Sequence, residues 1–231
     1  MLTDFYLSLF CPKFIIILCH IEMKNMIDST INIIERAIKV EPAGKILFSV
    51  DYADYGTPEA VKKAILRLNK KGLILRLAQG IYYYPRYDKE LGLGIIYPSL
   101  DEIANAIAQR DKARIVPTGD YALNKLGLST QVPANAVYLT DGSQRRIAVG
   151  QGRGILFKHT SELKVLAYQS DLMMLIVSAM RAIGEGMITE EQMAILASHL
   201  KNVSKENFAK DISLAPIWVR KILITLWNSI N

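Results

Sequence analysis

Cysteine is almost missing from this 231-residue chain: the two it has, Cys11 and Cys19, stand in the first twenty residues. The rest of the sequence therefore offers neither a disulfide framework nor a thiolate metal site, which suits a reducing, cytoplasmic setting. Histidine is nearly as scarce. His20, His159 and His199 are far apart, with neither an H-x-x-x-H nor an H-x-x-E-H spacing, so no zinc site is expected. Acidic residues do not gather either. Asp101, Glu102, Glu185, Glu190 and Glu191 fall at expected helix ends, where the helix dipole accounts for them. His159 follows an apolar strand alone. With no acid–base or metal constellation legible, the expectation is a non-catalytic chain with no cofactor; a nucleic-acid-processing enzyme is the alternative class.

A long hydrophobic run is also lacking. Residues 5–21 are apolar, but Pro12-Lys13 splits them, leaving less than the roughly 20 residues that a spanning helix needs. The first charge is Asp4 and no small-residue cleavage site follows, which argues against a secretory signal. Residues 1–25 are expected to be a non-native or disordered extension, with translation starting at Met23 or Met26. An extra helix and a membrane anchor are the alternatives.

Hydrophobic residues make up 51% of the chain, enough to fill real cores, and the length allows two small domains. The net charge is +6, and the window from Tyr55 to Glu90 alone carries +5 of it. That window holds the most regular stretch, Thr57-Pro58-Glu59-Ala60-Val61-Lys62-Lys63-Ala64-Ile65-Leu66-Arg67-Leu68-Asn69-Lys70-Lys71-Gly72. Thr57 suits an N-cap, Pro58 the first helical position and Gly72 the C-terminal stop. Val61, Ala64, Ile65 and Leu68 repeat at i, i+3, i+4 and i+7, the signature of one buried face. Lys62, Lys63, Arg67 and Lys70 fall on the other side.

Upstream, Asp28 or Ser29 can cap a helix with Ile31, Ile34, Ala37 and Ile38 on one stripe. Residues 45–49 read as a small strand, residues 50–55 as a turn or two of helix. Downstream, residues 73–77 and 80–84 read as two strands joined through Ala78-Gln79-Gly80. A helix, a turn, a capped basic helix and a two-stranded ribbon is the order of a winged helix-turn-helix, expected over residues 26–85. Its natural partner is double-stranded DNA, with Thr57, Lys62, Lys63, Arg67 and Lys70 on the recognition helix and Arg76 and Gln79 on the wing. A protein-docking module is the alternative.

The run from Ala60 to Pro85, "helix, R-L, G-x-I-x-R-L, x-x-G-x-Y-Y-x-P", resembles the N-terminal winged helix of AbiEi-type antitoxins. From Met26 onward the chain resembles the DUF6088 family, itself similar to those antitoxins. Pro117-Thr118-Gly119-Asp120-Tyr121-Ala122-Leu123-Asn124-Lys125-Leu126-Gly127-Leu128 is a second shared element. The resemblance implies a transcriptional autorepressor of a bacterial type IV toxin–antitoxin operon. Such a protein binds the operator of its own operon and counteracts a nucleotidyltransferase toxin encoded nearby, with no stable complex required. A winged-helix regulator with no toxin partner fits the same DNA features.

Residues 86–98, with Gly92, Gly94 and Pro98, read as a linker. Residues 99–231 read as a C-terminal α+β domain with a small antiparallel sheet first and helices last. Ser99 with Glu102, and Thr189 with Gln192, have capping-box spacing. Three strands are expected near residues 136–140, 145–149 and 155–159. Asp141-Gly142 and the segment from Gly150 to Gly154 are read as the hairpin loops that join them. The Gly150-x-Gly152-x-Gly154 pattern lacks the helix and lysine of a nucleotide loop. Gly142-Ser143 starts like a nucleotidyltransferase motif, but no Asp-x-Asp follows. Arg145, Arg146, Arg153 and Lys158 form a candidate second basic surface, with a solvated sheet face as the alternative. Met173, Met174, Met180, Met187 and Met193 read as core filling rather than a binding surface.

Overall fold

A computed structural model describes residues 29–88, 92–150 and 152–230. The expected N-terminal extension and the possible Asp28 cap lie outside the described residues. The chain is a mixed α+β protein that divides into two compact units after Tyr97.

The first unit opens with α1 (Thr30–Lys39), β1 (Ile46–Phe48) and a 3-10 turn (Ser49–Tyr55). Next come α2 (Pro58–Lys70), β2 (Leu75–Ala78) and β3 (Ile81–Tyr83). Capping dictates where α2 begins: the Thr57 hydroxyl accepts the Ala60 amide at 3.3 Å, Pro58 fills the first turn and Glu59 faces the dipole. Gly72, at φ +75°, ends the turn that follows. The apolar face works as its spacing predicts. Val61, Ala64, Ile65 and Leu68 are buried in one core with Ile34 and Ile38 of α1, Leu47, Ile74 and Tyr82. The three strands form an antiparallel sheet in the order β1-β3-β2. A bulge between Arg76 and Ala78 breaks the β2–β3 register just before the turn.

Where the sequence reads as a linker, the structure forms a ribbon of β4 (Arg86–Asp88) and β5 (Gly94–Ile96), paired from Arg86 opposite Ile96 to Asp88 opposite Gly94. Gly94, at φ +76°, supplies the left-handed turn geometry. The ribbon is fastened to the three-stranded sheet of its own unit by the Tyr83 hydroxyl, which donates to the Ile96 carbonyl at 2.5 Å.

The second unit begins with α3 (Leu100–Asp111), started by the expected Ser99/Glu102 capping box. β6 (Ile115–Pro117), α4 (Asp120–Lys125), β7 (Asn135–Thr140), β8 (Arg145–Ala148) and β9 (Gly154–His159) follow. The expected strands are present, but their pairing corrects the sequence reading. The sheet order is β6-β7-β9-β8, and β7 runs parallel to β9 from Asn135 opposite Gly154 to Thr140 opposite His159. The sheet is thus mixed rather than wholly antiparallel, and Asp141-Gly142 is not a hairpin loop. The reason is burial: β7 and β9 each carry three buried residues and take the two central places, whereas β8 has none and lies at the edge. The loop from Gly150 to Gly154 does close a hairpin, β8 with β9, as its glycines suggest.

Helices α5 (Asp171–Ile183), α6 (Glu190–Leu200), α7 (Lys205–Asp211) and α8 (Ile217–Ile230) complete the unit. Thr189 and Gln192 form the second expected capping box. Met173 and Met180 are fully buried in the helical core with Leu196, Leu200, Val219 and Leu223, whereas Met187 is exposed. Phe208 stacks on Trp227 at 4.1 Å between ring centres. A buried carboxylate joins the start of α5 to the end of α7. Asp211 is wholly inaccessible and accepts the backbone amides of Gln169 at 2.8 Å and Ser170 at 2.9 Å.

Replacing that carboxylate strands two amide donors. Asp211→Ala is expected to destabilise the second unit by about 2–4 kcal/mol. Both tryptophans lie in α8, so urea unfolding followed by tryptophan fluorescence reads this unit alone. An unchanged midpoint would show that the Asp211 bonds contribute nothing net.

Candidate nucleic-acid interface

Burying Val61, Ala64, Ile65 and Leu68 leaves the opposite side of α2 outward: Glu59, Lys62, Lys63, Leu66, Arg67 and Lys70 are all exposed. Residues three and four apart share a helix face, so these six form one surface. Among the described residues, Lys62, Lys63, Arg67 and Lys70 form no ion pair, and their charge is presented to solvent uncompensated. Lys71, one residue further, differs: it pairs with Glu35 of α1 at 3.7 Å, and Glu35 also holds Lys39 at 2.7 Å. Those contacts hold the Glu35 carboxyl below its usual range, the Lys39 hydrogen bond being the main cause. Glu35 thus offsets part of the charge of Lys39 and Lys71, while the cations facing outward on α2 have no such partner among the described residues.

The structure brings three of the expected residues together. Lys62 from α2, Arg76 from β2 and Gln79 from the turn line one groove of about 570 Å³. Val50 and Ala53 of the 3-10 turn, with Leu66 of α2, add exposed apolar lining. Arg76 points outward because its neighbours Leu75 and Leu77 are partly buried, and its Nε donates to the Ala78 carbonyl at 3.4 Å. Gly80 makes the tight turn possible. Its φ is +72°, and an added Cβ would lie 3.2 Å from the Ser49 hydroxyl. Lys63 and Arg67 do not line the groove, and Thr57 serves as the helix cap. Sequence reasoning missed the groove's apolar members. Val50, 62% exposed, and Leu66, 38% exposed, break the polar pattern of an outward surface, and that break was the available signal.

The candidate second surface is divided. Strand alternation sets Arg145 opposite Phe157 and Arg146 opposite Leu156, so the two arginines face opposite sides of the sheet. Arg145 pairs with Asp111 and lies over the Phe157 ring at 5.4 Å. Burial raises the affinity of the Asp111 carboxyl for its proton, but Arg110 and Arg145 outweigh this and hold its pKa below the usual value. Arg146, Arg153 and Lys158 are exposed. Arg145 is therefore a structural ion-pair partner, and the four do not share one face.

A polar cluster that the sequence did not announce sits between α3, α4 and the sheet. Asp101, in the first turn of α3, accepts from the Tyr138 hydroxyl and from Lys125 at 2.8 Å. Tyr138 and Tyr121 are tilted neighbours 5.7 Å apart. Burial pushes the Tyr121 hydroxyl up to about 12 and the Tyr138 hydroxyl far higher, so both remain donors. Burial also pushes Asp101 up, but the Lys125, Tyr138 and Tyr121 hydrogen bonds prevail and its carboxyl is held below the normal range. In the sequence Asp101 was legible only as a helix-end acid, and Lys125 only as part of the 117–128 element.

A separate cavity of about 330 Å³ has an apolar floor of Val116, Leu139, Val165 and Val177. Two of its polar members are already engaged: Ser178 donates to the Pro117 carbonyl at 2.6 Å, and Arg181 pairs with Glu162 at 2.9 Å. Among the described residues, no three His, Cys, Asp or Glu side chains gather where they could hold a metal ion. Nor is any helix among them long and apolar enough to cross a membrane.

Comparison with known proteins places this geometry in a family. The model of the family of unknown function DUF6088 matches residues 33–208, most of the chain. The chain belongs to DUF6088. That match takes in α2, the β2–β3 turn and the whole sheet of the second unit, so the exposed cations sit inside the family's shared region. No functionally curated protein matches the chain. The crystal structure of the RV2827C protein from Mycobacterium tuberculosis is similar at 14% identity, over 89% of this chain and 78% of that one, with a TM-score of 0.43.

The Asp101 cluster has a pH signature. Its folded pKa lies below the unfolded value of about 3.9, so its stabilisation is present above that value and is lost as pH falls through the folded pKa. Asp101→Asn is expected to lower the thermal midpoint at pH 7 by several degrees, with the gap to wild type closing as pH drops below about 4. Circular-dichroism melts between pH 3 and 7 check this. A gap independent of pH would rule out the charge as its source.

Proposed function

We propose that the first unit, up to Pro85, acts as a winged helix-turn-helix that binds duplex DNA. We further propose that the chain is an antitoxin-like autorepressor of a bacterial toxin–antitoxin operon, working in the cytoplasm. The observation that carries the DNA reading is the set of uncompensated cations, Lys62, Lys63, Arg67 and Lys70, on a firmly capped helix beside the turn bearing Arg76 and Gln79. A helix of this kind fits a major groove, its first turns near base edges and its cations near phosphates. Lys63, Arg67 and Lys70 serve phosphates. Lys62, Arg76 and Gln79 flank the groove and engage the DNA between helix and wing.

The antitoxin reading draws on the resemblance to AbiEi-type antitoxins over the winged helix and over residues 117–128. These last residues form the β6–α4 connection and α4 itself. In this reading the second unit counteracts a nucleotidyltransferase toxin and performs no catalysis.

Fluorescence anisotropy on the DNA upstream of the chain's own reading frame, against a shuffled duplex and across a salt series, tests the first claim. Wild type is expected to prefer the upstream DNA. The triple variant Lys62→Ala/Lys63→Ala/Arg67→Ala is expected to bind at least tenfold more weakly, with a log–log salt slope shallower by about 2–3. No binding of either duplex by folded wild type would make the unit a protein-docking module. Co-expression with a nucleotidyltransferase from the adjacent reading frame tests the second claim, with restored growth as the expected result. Operator binding without growth rescue would leave a regulator with no toxin partner.

A further inference from the structure

We infer that Leu66 reads the methyl group of a thymine in the major groove, an inference that rests on the DNA reading above. Leu66 is the one outward residue in the middle of α2 that carries no charge, and it is 38% exposed. It follows Lys62 and Lys63 by four and three residues and precedes Lys70 by four, so cations surround it on the same face. A lone exposed leucine is ordinary and carries no message. This one is not alone, because it shares its groove with exposed Val50 and Ala53, and with Lys62 and Arg76. The combination is an apolar strip between cationic banks.

A duplex presents a matching surface. Its two backbones are rows of phosphate, which the cations attract. Between them the base edges offer hydrogen-bonding groups and one apolar group, the C5-methyl of thymine. Leucine cannot hydrogen-bond, so the thymine methyl is the only feature of the major groove that rewards its burial. Phosphates held by the lysines set the depth of the helix, and Leu66 then meets base edges rather than backbone. An acidic amphipathic peptide is the competing occupant of the apolar strip, and the test below separates the two.

The experiment uses the full chain and a duplex enriched from a random library by repeated capture. Each thymine is replaced in turn by deoxyuridine, which removes only the methyl group. Wild type is expected to lose about fourfold in affinity at one position or more, the effect of burying one methyl group. Leu66→Ala is expected to bind thymine and deoxyuridine duplexes alike, with its salt slope unchanged. Because Leu66 lies outside the core, this variant keeps its fold, which its melting curve verifies. Indifference of wild type to every methyl would overturn the inference while leaving DNA binding intact. A methyl effect that persists in Leu66→Ala would assign the contact to another residue and overturn it as well. Failure to enrich any duplex would instead overturn the DNA reading itself.

Discussion

The first unit depends on one packing arrangement: the apolar side of α2 closed against Ile34 and Ile38 of α1. Because Val61, Ala64, Ile65 and Leu68 occupy the inward positions, the rotation of α2 about its axis is settled. Every cation between Lys62 and Lys70 is then carried outward by default. Burial of Val61, Ile65 and Leu68, each contributing roughly 1.5–3 kcal/mol, outweighs the mutual repulsion of exposed lysines in water. The charged surface is thus a by-product of the core, held in place without bonds of its own. The sheet supports the same arrangement, since Ile74 and Tyr82 reach the core and leave Arg76 and Gln79 outside.

The second unit is organised differently. Its helices share a core built around Met173, Met180, Leu200 and Val219, while its polar interior is fixed by two carboxylates with opposite jobs. Asp211 stitches backbone to backbone, accepting amides at a helix start some forty residues earlier. Asp101 binds side chains instead, gathering Tyr138 and Lys125 from a strand and a helix. Both carboxylates have their oxygens engaged by donors, which is the condition for tolerating them away from water.

Local signals were legible in the sequence where the physics is local. Thr57, Ser99 and Thr189 announced helix starts because a cap acts over three residues, and the α2 stripe announced a buried face because its period is that of the helix. The pairing order of the second sheet was not legible. Whether β7 meets β8 or β9 depends on which strand the core needs at the centre, and no turn residue encodes that. The ribbon at β4 and β5 was likewise hidden, since Gly92 and Gly94 mark a turn as readily in a linker as in a hairpin. For the candidate site, the cations on α2 were readable from spacing, but the groove was not, because Lys62, Arg76 and Gln79 meet only through the fold. The division of Arg145 from Arg146 was within reach, as alternation along a strand requires it.

The order β6-β7-β9-β8 has a consequence for the chain while it is being made. β7 and β8 are consecutive in sequence yet never touch; the place between them belongs to β9, which is synthesised last. Until Gly154–His159 leaves the ribosome, only the β6–β7 pair can form, and β7 has an open edge of unpaired amides and carbonyls. The arrival of one six-residue segment closes both gaps together, so this sheet is completed in a single late event rather than strand by strand.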